Sequence, residues 1–160
     1  MARLIKSKAF TLDKLRRALA PPNDYTAVLN LIYREFLAIE NMRFQNNGMA
    51  SGKGIGSYPR WAPLKPSYAK RKEKKYPGRP ILVASGKLGR AATGGAGSFK
   101  IMGPTFAAFG VMADKVKFAP FHMTGTKNMK PRPFLEANEA TVTTWKELIR
   151  RYILRRKGVK

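Results

Sequence analysis

His122, nine carboxylates and no cysteine are the whole stock of acid–base and metal-ligating side chains in the 160-residue chain. The acids are Asp13, Asp24, Glu35, Glu40, Glu73, Asp114, Glu136, Glu139 and Glu147, and they are scattered. No two have the spacing of a two-metal nuclease, or of a general acid and base on one element. Glu136 and Glu139 share a helix face, but among so many arginines they read as surface ion pairs. One histidine without cysteine makes no metal-ligand set, and His122 beside Phe121 reads as a structural residue. The residues therefore predict no enzyme, no metal and no cofactor. Two glycine clusters could suggest a phosphate cradle. Gly52, Gly54 and Gly56 lack the strand before and the helix after that such a loop needs, because a helix precedes them and Pro59 follows. Gly86-Lys87 is followed by Leu88 where Ser or Thr is required, and position 81 is Ile, not Gly.

The residues that remain for function are cations. Lys and Arg number 32 against 9 Asp and Glu, a formal charge of +23. They are spread over both halves, so no basic tail is appended to a neutral domain. Such a charge opposes compaction unless a polyanion or a partner screens it, and nucleic acid is the commonest such partner. Their densest run lies in Trp61 to Leu88. Trp61 and Leu64 sit among Pro59, Pro63 and Pro66, which predicts a stiff extended segment. Pro66 can open a short helix bearing Lys70, Arg71, Lys72, Lys74 and Lys75 against the single acid Glu73. Tyr76-Pro77-Gly78-Arg79-Pro80 breaks it. Ile81, Leu82 and Val83 then return to the core. The stretch predicts a basic arm anchored at both ends, whose partner-facing side chains are Lys70, Arg71, Lys72, Lys74, Lys75 and Arg79.

The elements that must position this arm follow from periodicity. Residues 1–22 predict a helical extension with Phe10, Leu12, Leu15 and Leu19 on one face, ended by Pro21-Pro22. Residues 23–47 predict a long helix capped by Asn23, with Tyr25, Val28, Leu29, Ile32, Phe36 and Ile39 in one stripe widened by Leu31 and Leu37. It stops before Asn46-Asn47-Gly48. Residues 48–80 hold a Gly-rich loop, expected to be mobile up to Tyr58, and then the arm. The loop and arm, over 46–60 and 67–79, are expected to become ordered on assembly. Residues 81–135 predict a β-hairpin from the Phe99/Ile101 alternation and the run Phe106 to Ala113, then an aromatic patch and a Pro-rich edge. Phe118, Phe121, Met123, Arg132 and Phe134 are expected there as an oligomer interface, with Phe134 as its anchor. Residues 136–160 predict a helix with Val142, Trp145, Leu148, Ile149, Tyr152 and Ile153 on one face and a basic tail. The fold class is α+β: a long N-terminal helix and a C-terminal helix packed on a small antiparallel sheet, with an extended basic loop, in a single domain 1–160. No apolar run approaches the length of a transmembrane helix, no secretory leader is expected, and no membrane partner is predicted.

The order of segments carries a resemblance. Trp61-Ala62-Pro63-Leu64, the basic stretch, Ile81-Leu82 leading to Ser85-Gly86-Lys87-Leu88, Phe118-Ala119 with His122 and Gly125, and Pro131-Arg132-Pro133-Phe134-Leu135 follow one another between two long helices. Over about residues 24–155 this resembles the virion morphogenesis, or tail-completion, family of tailed bacteriophages, the Mu-like group in particular. The chain departs from the pattern at Lys65, Phe118 and Lys130-Pro131. The resemblance implies a non-enzymatic structural protein of the head–tail neck, a tail-terminator or connector subunit. It would form a ring, six-membered by that likeness, between unlike neck and tail proteins in the virion, and be made in the host cytoplasm. Double-stranded DNA would pass through the lumen without being read, its phosphates tolerated by basic side chains. Two rivals stand beside it: a cellular sequence-independent nucleic-acid-binding protein, and a membrane-active cationic protein, for which the C-terminal helix is the candidate. The ordered motifs are explained by neither, and the arm has only Tyr68 and Tyr76 to stack on bases.

Overall fold

The computed structural model describes residues 23–157, so the expected N-terminal extension over 1–22 and the last three residues of the basic tail lie outside the described residues. The elements are α1 (Thr26–Gln45), β1 (Ala50–Gly52), β2 (Gly56–Tyr58), α2 (Pro66–Lys75), α3 (Lys87–Ala92), β3 (Ser98–Met102), β4 (Ala107–Val111), α4 (Ala119–Thr124) and α5 (Glu139–Arg156). The class is α+β, as the periodicity predicts. There are two antiparallel two-stranded sheets, β1–β2 and β3–β4, and no larger one among the described residues.

Helix α1 is the axis. Val28, Ile32, Phe36 and Ile39 recur at helical spacing and are buried, as expected of an apolar stripe. Leu31 does not widen the stripe, being 52 % exposed. The helix starts without a cap from Asn23. Asp24 Oδ1 instead accepts from the Thr26 amide at 2.8 Å, and the Tyr25 amide donates to Pro104 O at 2.6 Å in the β3–β4 turn. At its other end Asn47 and Gly48 take positive φ and stop the helix, as read from Asn46-Asn47-Gly48. Gly48 is required there: a Cβ would lie 2.6 Å from the Trp61 nitrogen.

Residues 50–58 are not a mobile loop. They form the β1–β2 hairpin, with Ala50 opposite Tyr58 and Gly52 opposite Gly56. Ile55 at its tip and Tyr58 are buried. Tyr58 Oη lies 2.9 Å from Thr141 Oγ1, and Asn138 Nδ2 donates to Ile55 O at 2.8 Å. The same Asn138 caps α5 by accepting from the Thr141 amide at 2.9 Å. The hairpin thus closes over the first turn of α5. Gly56, at φ +65°, permits this approach, since a Cβ would meet the Ala140 Cβ at 2.7 Å. The glycines that read as loop residues allow close packing instead.

Helix α5 runs antiparallel along α1: Trp145 Nε1 donates to Glu35 Oε2 at 2.9 Å, and Tyr152 Oη donates to Asp24 O at 2.9 Å. The β3–β4 hairpin, expected from its alternation, pairs Phe99 with Gly110 and Ile101 with Ala108. Its Phe109 face lies on α1, with ring centroids 4.9 Å from Phe36 and 5.1 Å from Tyr33. Phe99 and Ile101 point the other way and are exposed. The main core joins Phe44, Trp61, Leu88, Ala91, Val116 and Phe134, with Ile81, Leu82 and Val83 packed against it.

Candidate functional site

Both anchors of the arm are where the sequence puts them. Trp61 is buried, and its Nε1 donates to Pro133 O at 3.0 Å. On the return side the Ile81 amide donates to Asn47 Oδ1 at 2.6 Å. Between them Pro66 opens α2 at its first turn. Lys70, Arg71, Lys74, Lys75 and Arg79 are exposed. Lys72 is not partner-facing. It is 8 % exposed, and its Nζ donates back to Arg79 O and, at 3.0 Å, to Pro80 O. Burial, the larger influence, lowers its pKa below the ordinary lysine value, against the opposing pull of Glu73. Glu73 Oε1 accepts from the Gly78 amide at 2.9 Å. Lys72 and Glu73 therefore tie the helix to the chain that follows it, and the arm is a built part of the fold instead of a loose loop.

Two residues expected at an oligomer interface belong to the interior. Phe134 has no exposed surface and packs edge-on to Phe44 at 5.9 Å, because Arg132 and Pro133, the two residues before it, are held by other elements. Arg132, 4 % exposed, donates from Nε to Ala62 O at 2.6 Å and from Nη2 to Pro63 O at 2.8 Å. The PRPFL segment and the WAPL segment are thus two halves of one internal frame. Met123 is half-buried against the core, and its sulfur accepts from the Phe134 amide at 3.3 Å. Phe118 and Phe121 do remain on the surface, 41 % and 54 % exposed.

Missing from the sequence reading is the side chain that locks this frame. Arg43 is 1 % exposed. It donates to Glu40 Oε1 at 2.9 Å, Pro133 O at 2.7 Å and Glu136 Oε1 at 3.1 Å, and it lies 4.6 Å over the Tyr58 ring. Burial pushes the Glu40 carboxyl up to about 8, outweighing the attraction of Arg43. The signal was present: Arg43 continues the stripe Ile32, Phe36, Ile39 at helical spacing, a polar residue where a core residue belongs.

Between α2, the turn before α3 and the segment after α4 lies a groove of about 1070 Å³. Leu64, Leu82 and Phe118 are apolar residues of its lining with accessible surface, and buried Leu88 lies beneath them. Lys65, Arg71, Lys87, Lys127 and Lys130 rim it, Lys72 and Arg132 stand in its walls, and no carboxylate of the described residues lines it. Of the six arm cations only Arg71 and Lys72 reach it; Lys70, Lys74, Lys75 and Arg79 do not. Leu82 holds a left-handed backbone, φ +65°, a conformation a leucine adopts only where its surroundings enforce it. His122 also lines the groove. Its ring stands edge-on to Phe118, its Nδ1 is buried without a hydrogen-bond partner, and burial, then Arg132, hold its pKa below the usual value.

Among the described residues no group of three or more His, Cys, Asp or Glu is placed to hold a metal ion, and no helix is long and apolar enough to cross a membrane. Comparison with protein-family models, curated proteins and solved structures finds no match for the chain.

Proposed function

We propose that the chain is a structural subunit of the head–tail neck of a tailed-phage virion, made in the host cytoplasm, which assembles with copies of itself into a ring. The ring completes or terminates the tail, joins it to the head through neighbouring neck and tail proteins, and passes double-stranded DNA without reading its bases. The observation that carries this reading is the outward face of the β3–β4 hairpin. Phe99 and Ile101 on β3 and Phe106 in the turn before β4 are 38 %, 55 % and 53 % exposed, on a hairpin that no third strand among the described residues extends. Exposed apolar surface of this kind marks a partner. A second such place, Phe118 and Phe121, sits on a different element. A closed ring needs two unlike patches per subunit, each meeting the other's counterpart on a neighbour. The exposed cations of α2 suit a lumen or face next to phosphate, because a backbone contact needs charge and no base recognition.

Native mass spectrometry tests the ring. The wild type is expected as a closed oligomer. Ile101→Ser with Phe106→Ser, both on the exposed hairpin, should give smaller species with an unchanged circular dichroism spectrum. A wild type that stays monomeric at every concentration contradicts the ring. The four exposed cations of α2 favour one second reading, a cellular sequence-independent nucleic-acid-binding protein. A monomer that binds duplex tightly and with steep salt dependence selects it.

A further inference from the structure

The groove beside α2 has a charge balance that the ring reading does not use. Lys72 and Arg132 place two cations in its walls at 8 % and 4 % exposure. Both are held by backbone carbonyls alone, Arg79 O and Pro80 O for one, and Ala62 O, Pro63 O and Lys130 O for the other. Carbonyl dipoles accept from these donors but pair neither cation with a carboxylate, and only Glu73, outside the groove, pulls on the Lys72 charge. Glu73, the one acid on α2, is occupied with the Gly78 amide and does not line the groove. Exposed Arg71, Lys127 and Lys130 add to the same positive field.

We infer that this groove binds an extended acidic peptide segment of another protein, with aliphatic side chains seated on Leu64 and Leu82 and carboxylates on the cationic rim. The chemistry of the floor separates a peptide from a nucleic acid. Leu64 and Leu82, both partly exposed, offer branched aliphatic surface, which takes apolar side chains, whereas single-stranded bases need flat aromatic platforms. Of the aromatics at hand, Tyr68 already has the Arg71 guanidinium 5.8 Å from its ring centre and Phe118 packs on His122. A duplex presents a convex ridge of phosphates with no apolar group to fill a cavity of about 1070 Å³. The groove lies within one subunit and shares only Phe118 and the α2 cations Arg71 and Lys72 with the surfaces named for the ring and its DNA.

The test is fluorescence anisotropy of the full chain at near-physiological salt with a labelled peptide that alternates Glu and Leu, beside one that alternates Glu and Ser. The Glu/Leu peptide is expected to bind at least about tenfold more tightly, because only it uses the apolar floor. Arg71→Glu with Lys130→Glu should weaken it by about tenfold or more through like-charge repulsion. The milder Arg71→Gln with Lys130→Gln should weaken it by less, in the same direction. Lys146→Glu with Arg151→Glu changes the net charge equally on the exposed side of α5 and should leave affinity unchanged. No binding of the Glu/Leu peptide overturns the inference, as does equal affinity for the Glu/Ser peptide or an equal loss in the α5 variant. A single-stranded oligonucleotide that binds more tightly than the Glu/Leu peptide, with the same dependence on Arg71 and Lys130, makes the groove a nucleic-acid site and overturns it too. The oligomer mass is read in the same samples, so failure of the ring and failure of the peptide site are distinguished.

Discussion

Arg43 has four acceptors, Gly48 O, Glu40, Pro133 O and Glu136, and two rings, Tyr58 and Trp61, around it and only 1 % exposure, yet most cations of the described residues face water. Its partner Glu40 has one carboxylate oxygen bonded and the other buried without a partner, which fits a protonated carboxyl. The folded pKa of about 8 lies above the ordinary 4.5, so between those values the native chain holds a proton that the unfolded chain has released. Stability contributed by Glu40 is therefore fully present below about pH 4.5 and is lost as pH rises toward 8, by up to about 1.4 kcal/mol per pH unit. Glu40→Gln keeps the Arg43 bond and should remove that slope; chemical denaturation from pH 5 to 8 checks it, and an unchanged slope refutes the assignment. Phe134→Ala should cost about 3–5 kcal/mol as a core truncation. A folded, fully stable variant with a smaller oligomer would return Phe134 to an interface. The Pro131 and Pro133 pattern correctly told of an extended segment but could not tell its side: prolines that donate no amide suit an exposed edge equally well as a strap whose Pro133 carbonyl accepts from both Arg43 and Trp61.

At the scale of elements, the helices and the β3–β4 hairpin were legible because each carries enough apolar residues for a period to show. The end of α1 at Gln45 and the start of α2 at Pro66 were set by residues with one local meaning, Asn47-Gly48 and proline. The β1–β2 hairpin was hidden. Its strands are three residues each, Gly- and Ser-rich, and acquire their order from Thr141 and Thr144 on α5 and from its cap Asn138, some 80 to 90 residues away in sequence. The arm was expected to order only on assembly, yet Lys72 and Glu73 lock it within its own chain. Hydrogen exchange on the free protein should therefore show protection across 50–58 and 68–76. Lys72→Met, which leaves Arg79 O and Pro80 O without their donor, should speed exchange from Tyr76 to Arg79 by on the order of tenfold. Fast exchange of the wild type throughout these segments would restore ordering on assembly.

The whole molecule carries +23, and that charge was the most legible feature of all, while its division into working and structural cations was not. Burial removes Lys72, Arg132 and Arg43 from the surface set, since each one's donors are taken by carbonyls or carboxylates of its own fold. If duplex passes against α2, binding should weaken with salt by a log–log slope of about −0.9 for each phosphate neutralised. Lys70→Gln, Arg71→Gln, Lys74→Gln and Lys75→Gln together should flatten that slope, and an unmoved slope places the α2 cations against protein or solvent. The apolar hairpin face and α4 then account for the surface that charge does not explain. Electron microscopy of the purified full chain addresses the ring most directly. The account predicts closed rings of one symmetry with an open lumen that duplex can thread, lost in Ile101→Ser with Phe106→Ser. Isolated monomers of the wild type, or open filaments with no closed ring, would contradict it.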